Sequence, residues 1–164
     1  MPELPEVQTI VDDLNKKIIG RRITGVWFDW PKSIKKPKPK DFEKQIKGLK
    51  ITQIKRRGIN IIIYLTNNQL PTTNNYIILV HQKMTGHLLY GKWQIKKFHG
   101  SKFIVHSLLK GHFQEKVNDY IHLIFYLDNG WQLALSDLRK FAKVLFGPKE
   151  EIENLPDLVK IGPE

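Results

Sequence analysis

Near the start of the chain, apolar residues recur at three- and four-residue steps: Val7, Ile10, Val11, Leu14 and Ile18. That spacing predicts an amphipathic helix over residues 5–19, with one stripe facing a core. Pro5 suits a first turn, Glu6 complements the positive helix end, and Lys16-Lys17 before Gly20 predict the stop. The period then changes. Residues 23–28 predict a strand, and residues 31–40 (PKSIKKPKPK) an exposed Lys/Pro loop with nothing to pack. Residues 41–47 predict a short helix capped by Asp41 and ended by Gly48. Beyond it, short β-branched and aromatic runs predict strands over 49–55, 59–65, 76–81, 87–90, 120–127, 131–135 and 143–146. Asp128-Asn129-Gly130 predicts a hairpin turn, and residues 66–75 and 94–118 read as loops. One N-terminal helix followed by many short strands, with no internal repeat, points to an α+β domain built as a β-sandwich or barrel.

Composition adds a partner to this picture. The chain has 164 residues and a formal charge of +11, a length that suits one domain with a real core. The excess is concentrated: residues 31–60 hold eleven Lys/Arg against two acids, and residues 91–118 six Lys against one Glu. Basic blocks of this kind fit a polyanion, because cations that neutralise phosphates release condensed counterions. A solvated Lys-rich surface or an anionic membrane surface are the competing readings. There is no Cys, hence no disulfide scaffold or thiolate zinc site, and no apolar run of membrane-spanning length. The expectation is a cytoplasmic protein, associated with the nucleoid if that polyanion is DNA.

The first six residues carry the most chemistry. If Met1 is removed, Pro2 presents a secondary amine, and an α-amino group titrates near pH 8, so part of it is neutral at pH 7. Such an amine can attack a sugar C1′ to form an imine. Glu3 and Glu6 follow within reach of one helix start, where a carboxyl can move protons. Taken alone, Pro-Glu-x-Pro-Glu is equally an ordinary way to begin a helix. His99, His106, His112 and His122 lack metal-ligand spacing, so no metal is expected. Phe98, Phe103 and Phe113, interleaved with Lys and His, either stack bases or anchor the core or a loop.

Met1-Pro2-Glu3-Leu4-Pro5-Glu6-Val7 resembles the opening of the formamidopyrimidine-DNA glycosylase/endonuclease VIII family. Further segments agree in order. Arg56-Arg57-Gly58 resembles the family's Arg-Arg-Gly-Lys, and His81-Gln82-Lys83-Met84-Thr85-Gly86 its His-Leu-Gly-Met-Ser-Gly. Ser136-Asp137-Leu138-Arg139-Lys140-Phe141 resembles Thr-Asp-Pro-Arg-Arg-Phe, and Ile161-Gly162-Pro163-Glu164 resembles Leu-Gly-Pro-Glu. The resemblance implies an N-terminal helix followed by a two-layer antiparallel β-sandwich, a single N-terminal catalytic-type domain over residues 1–164. It implies Pro2 as the Schiff-base nucleophile, Glu3 as the acid/base and Glu6 as an assisting carboxylate. It also implies His81 as a phosphate contact, and Met84, Arg139 and Phe141 as the trio that fills the gap left by a flipped nucleotide. Unstacking costs a few kcal/mol, which an apolar wedge and an Arg facing the orphaned base offset.

The departures bear on function. The family's lysine falls on Ile59, which carries no charge and donates no hydrogen bond. Arg57, two residues back, shares its strand face if pairing is regular, and is the expected substitute. Lys83 and Leu138 replace a glycine and a proline. The family's helix–two-turn–helix and zinc finger, which would follow the last motif, are expected to be absent here, so no zinc or other cofactor is expected, and a separate chain is one conceivable source of that half. The expected activity is that of a base-excision DNA glycosylase with AP-lyase (β,δ-elimination) activity on oxidised purines or formamidopyrimidines in duplex DNA. The rival is a non-catalytic or weakly active DNA-binding remnant.

Overall fold

The computed structural model describes residues 4–67, 75–82, 86–97, 103–108, 120–137 and 142–155. Helix α1 (Leu4–Lys17) and Ile18 just after it bury the predicted stripe of Val7, Val11, Leu14 and Ile18, with Ile10 packed at its margin. Gly20, at φ +86°, ends the reversal after it. A left-handed residue there suits glycine, which has no Cβ to clash.

Eleven described strands follow: β1 (Ile23–Phe28), β2 (Ile34–Lys36), β3 (Lys50–Arg57), β4 (Asn60–Thr66), β5 (Tyr76–His81), β6 (Gly86–Gly91), β7 (Trp93–Lys97), β8 (Phe103–Ser107), β9 (Ile121–Leu127), β10 (Gln132–Asp137) and β11 (Lys143–Pro148). Helix α2 (Pro39–Ile46) precedes β3, and α3 (Lys149–Glu153) follows β11. The strands form a four-stranded sheet, β1-β9-β10-β6, a five-stranded sheet, β2-β11-β5-β4-β3, and a ribbon, β7-β8. Only the β2–β11 pairing is parallel among these. The fold is therefore the expected α+β sandwich with an N-terminal helix.

Alternation divides each strand between two environments. Ile61, Ile63 and Leu65 of β4 face the main core, as do Ile78 and Val80 of β5. Ile62 of β4, with Ile77 and Leu79 of β5, lies on the opposite face under Ile152 of α3. α2 closes the main core with Phe42, whose ring meets Phe125 and Phe146 edge-on at 6.1 and 6.0 Å.

Three predicted features need correction. The 31–40 segment is not a bare loop: Pro31–Ser33 form a 3-10 turn, and Ile34–Lys36 pair with β11, burying Ser33 and Ile34. α2 begins at Pro39, in the first turn where proline is pre-organised, so Asp41 sits inside the helix rather than capping it. Part of the 94–118 loop is the β7–β8 ribbon, whose Trp93 and Val105 pack on Ile121, Ile124 and Ala134 of the four-stranded sheet.

β3 ends the five-stranded sheet, so one side of its backbone needs another partner. α1 supplies it: Asn15 Nδ2 donates to Ile54 O at 2.9 Å, and Ile54 N donates to Asn15 Oδ1 at 3.2 Å. Asn15→Ala is expected to lower unfolding stability by about 1–2 kcal/mol, the net worth of two such bonds, in urea melts. Asn15→Leu restores apolar volume but not the bonds, and should recover little.

Candidate functional site at one end of the sandwich

The direction of α1 locates the site. The reversal that follows its C-terminal end lies by Ile51, where Gly20 N donates to Ile51 O at 2.8 Å. Toward its N-terminal end, Gln8 Oε1 accepts from Arg56 Nε, also at 2.8 Å. The helix thus begins at the end of the sheet where β3 finishes. There Gly58 (φ +61°) and Ile59 turn the chain, and Arg57 pairs with Asn60 at the start of β4. A two-residue hairpin needs positive φ at its first position, which Gly58 provides. This corrects the relation between Arg57 and Ile59. Ile59 is a half-buried turn residue, so strand alternation does not put the two on one face.

Register assembles the remainder. Asn60 is opposite His81, the last residue of β5, and His81 is opposite Lys143, the first of β11. On the other sheet Asp137, the last residue of β10, is opposite Gly86, the first of β6. The two sheets are tied here: Asp137, almost fully buried, accepts a 2.5 Å hydrogen bond on Oδ2 from Ala142 N. A carboxylate accepting a backbone N–H makes a short, charge-assisted bond, and this one joins the end of β10 to the residue before β11.

Of the predicted site residues, Arg57 and His81 are brought into one cross-strand row, and Glu6 lies in the first turn of α1 at the same end. Pro2, Glu3, Met84, Arg139 and Phe141 lie outside the described residues. Their described neighbours Leu4, Gln82, Gly86, Asp137 and Ala142 belong to the chain segments that meet at this end.

Sequence reasoning passed over three polar residues here. Asn60 and Gln82 are fully buried, and neither side-chain amide has a hydrogen-bond partner. An orphaned buried polar group costs about 1–3 kcal/mol. Their signal was a polar residue opening an Ile-rich run (INIIIYL) and a Gln where the resembling motif has Leu. The third is Lys143, half-buried at the start of β11. Nearby, burial first and the Glu153 carboxylate second raise the Tyr64 phenol above its ordinary value, while Arg57 pulls it down. Arg57 therefore acts on the outer face of the sheet, with Tyr64. His122, by contrast, pairs with Asp29 through Nδ1 at 2.8 Å.

A family model for the formamidopyrimidine-DNA glycosylase N-terminal domain matches residues 1–144. Curated relatives include the formamidopyrimidine-DNA glycosylases of Pelotomaculum thermopropionicum, 32% identical over 164 residues, and of Bacillus subtilis, 32% identical over 166 residues. All of this chain is covered in both, but only 50% of either relative, so the chain spans about half the length of the curated relatives it matches. Among solved structures, Lactococcus lactis Fpg in complex with abasic-site DNA matches with a TM-score of 0.69 at 23% identity, over 97% of this chain and 48% of that one. At that identity the match speaks for the fold.

Proposed function

The chain belongs to the formamidopyrimidine-DNA glycosylase family, whose N-terminal domain it matches over residues 1–144, and from that membership we propose that it is the nucleophile-bearing domain of a DNA glycosylase/AP lyase. The observation that carries this reading is convergence. The start of α1, the Arg57–Asn60 turn, the end of β5 and the Asp137–Ala142 pair meet at one end of the sandwich. These are the segments that hold the family motifs.

In the proposed reaction the Pro2 amine, free once Met1 is removed, attacks C1′ of the damaged nucleotide. The C1′–N bond breaks and the base leaves with its electron pair, protonated by a nearby acid. Ring opening gives an iminium ion between Pro2 and C1′, with Glu3 exchanging the proton at the sugar ring oxygen. Loss of a C2′ proton then expels the 3′-phosphate, and a further elimination expels the 5′-phosphate. Glu6 assists from the first turn of α1. Arg57 and His81 hold phosphates, and Met84, Arg139 and Phe141 occupy the space vacated by the flipped nucleotide. The substrate class is oxidised purine or formamidopyrimidine in duplex DNA, with a further chain segment or partner on the other side of the DNA.

A second reading, binding without catalysis, draws on Ile59 standing where the family has lysine. Borohydride reduction separates the two. Met1-free protein incubated with an abasic duplex should yield a covalent adduct stable to denaturation. Salt-sensitive binding without any adduct would establish the second reading instead.

A further inference from the structure

The register across the five-stranded sheet creates a feature that no sequence motif contains. Arg57, Asn60, His81 and Lys143 are successive partners on β3, β4, β5 and β11. Directly paired residues project to the same face, and their neighbours in the chain identify it. Ile61, Val80 and Val144 go to the main core, so the row lies on the outer face, that of Ile62 and Leu79. Strands are spaced by about 4.8 Å, so the row is about 14 Å long from Arg57 to Lys143. Three basic side chains stand on it with no acid among them. Lys143 makes no ion pair among the described residues. Between Arg57 and His81 lies Asn60, fully buried and with both amide atoms unpartnered.

We propose that Arg57, Asn60, His81 and Lys143 form one phosphodiester-binding row that follows the backbone of a single DNA strand past the site. The inference rests on the DNA-directed function above and deepens it by adding Asn60 and Lys143 to the contacts. The ligand chemistry follows from the side chains. Three donors that are cationic or can become so, in a line, match successive anions. Phosphates of one strand succeed each other at about 3.4 Å of axial rise, so a row of this length meets more than one. The amide NH₂ of Asn60 supplies a neutral donor in the middle of the line; buried and unpartnered in the free protein, it reaches a phosphate oxygen once DNA displaces what covers it. A nucleobase edge fits less well, because the row presents donors along its whole length and its side-chain acceptors are limited to Asn60 Oδ1 and one ring nitrogen of a neutral His81.

The test is the salt dependence of binding to a fluorescein-labelled duplex carrying an abasic-site analogue, read by anisotropy between about 50 and 200 mM salt. Lys143→Gln is expected to reduce the slope of log K against log salt by about 0.9, one phosphate contact, which over that range is a three- to fourfold smaller loss of affinity. Lys47→Gln serves as the control. Lys47 is exposed at the opposite end of the sheet, just before β3 begins, and its loss should leave the slope unchanged. Asn60→Leu should weaken binding while leaving the melting temperature equal or higher, since it removes an orphaned amide at similar volume. If wild type binds and Lys143→Gln has the slope of Lys47→Gln, the row is overturned while the parent function stands. A fall in melting temperature for Asn60→Leu with binding unchanged makes Asn60 structural and removes it from the row. Wild-type affinity that ignores salt overturns the row and the DNA-directed reading together.

Discussion

A form of the protein carrying one extra residue ahead of Pro2 should give no borohydride-trapped adduct with an abasic duplex, while binding that duplex as well as the Met1-free form. In the extended form the Pro2 nitrogen lies in a peptide bond, and amide resonance removes the lone pair that must attack C1′. Loss of a covalent nucleophile typically lowers turnover by on the order of 10³-fold or more, so the change is all-or-none on a gel. Pro2→Gly is the subtler variant. Its primary amine retains a lone pair, but the ring that fixes its direction is gone, and misplacement by about 1 Å costs on the order of 10²-fold. Trapping should therefore be strongly reduced in Pro2→Gly and absent in the extended form. Equal trapping by all three proteins would show that another amine forms the adduct, and Pro2 would lose its proposed role.

Ile59→Lys is expected to raise both affinity for abasic DNA and single-turnover cleavage by roughly ten- to a hundredfold, the equivalent of about 1.5–3 kcal/mol for hydrogen bonds to a charged group. The structure favours this position for a reason different from strand alternation. Ile59 occupies the second place of the tight turn after Gly58, at the end of the sheet where α1 begins, and it is half-buried. A lysine there can lay its alkyl stem along the turn and carry its ammonium toward a phosphate. Arg57 pairs with Asn60 across this turn, while the Arg56 guanidinium donates to Gly58 O at 3.1 Å, so Arg57→Ala should cost more in the native background than in Ile59→Lys. Single-turnover cleavage by wild type, both single variants and the double variant gives the coupling between the two positions. No gain from the lysine, together with indifference to Arg57, would mean that the turn does not reach the DNA.

Much of this architecture is local and therefore readable along the chain. The α1 stripe, its stop at Gly20 and the Asn129-Gly130 reversal each depend on residues a few positions apart. The family motifs are also local strings, and their order was enough to indicate the family and the fold. The parts misread are those stabilised only by distant partners. Three residues, Ile34–Lys36, cannot hold a strand unaided, and they do so because β11 lies beside them. Val105 looks like part of a basic loop until the outer face of β9 and β10 is there to bury it beside Trp93.

The sequence by itself determined the N-terminal helix, the run of short strands and the residue types available for an amine nucleophile, proton transfer and phosphate contact. Tertiary structure alone decided which of them meet. Residues 57, 60, 81 and 143 are aligned by hydrogen-bond register across four strands, and a shift of one residue in any strand would turn its member to the core. The Asp137–Ala142 bond likewise depends on where β10 ends and β11 begins. Periodicity reports which face of its own strand a residue occupies. Register, set by packing two sheets and a helix around one core, selects its neighbours on that face.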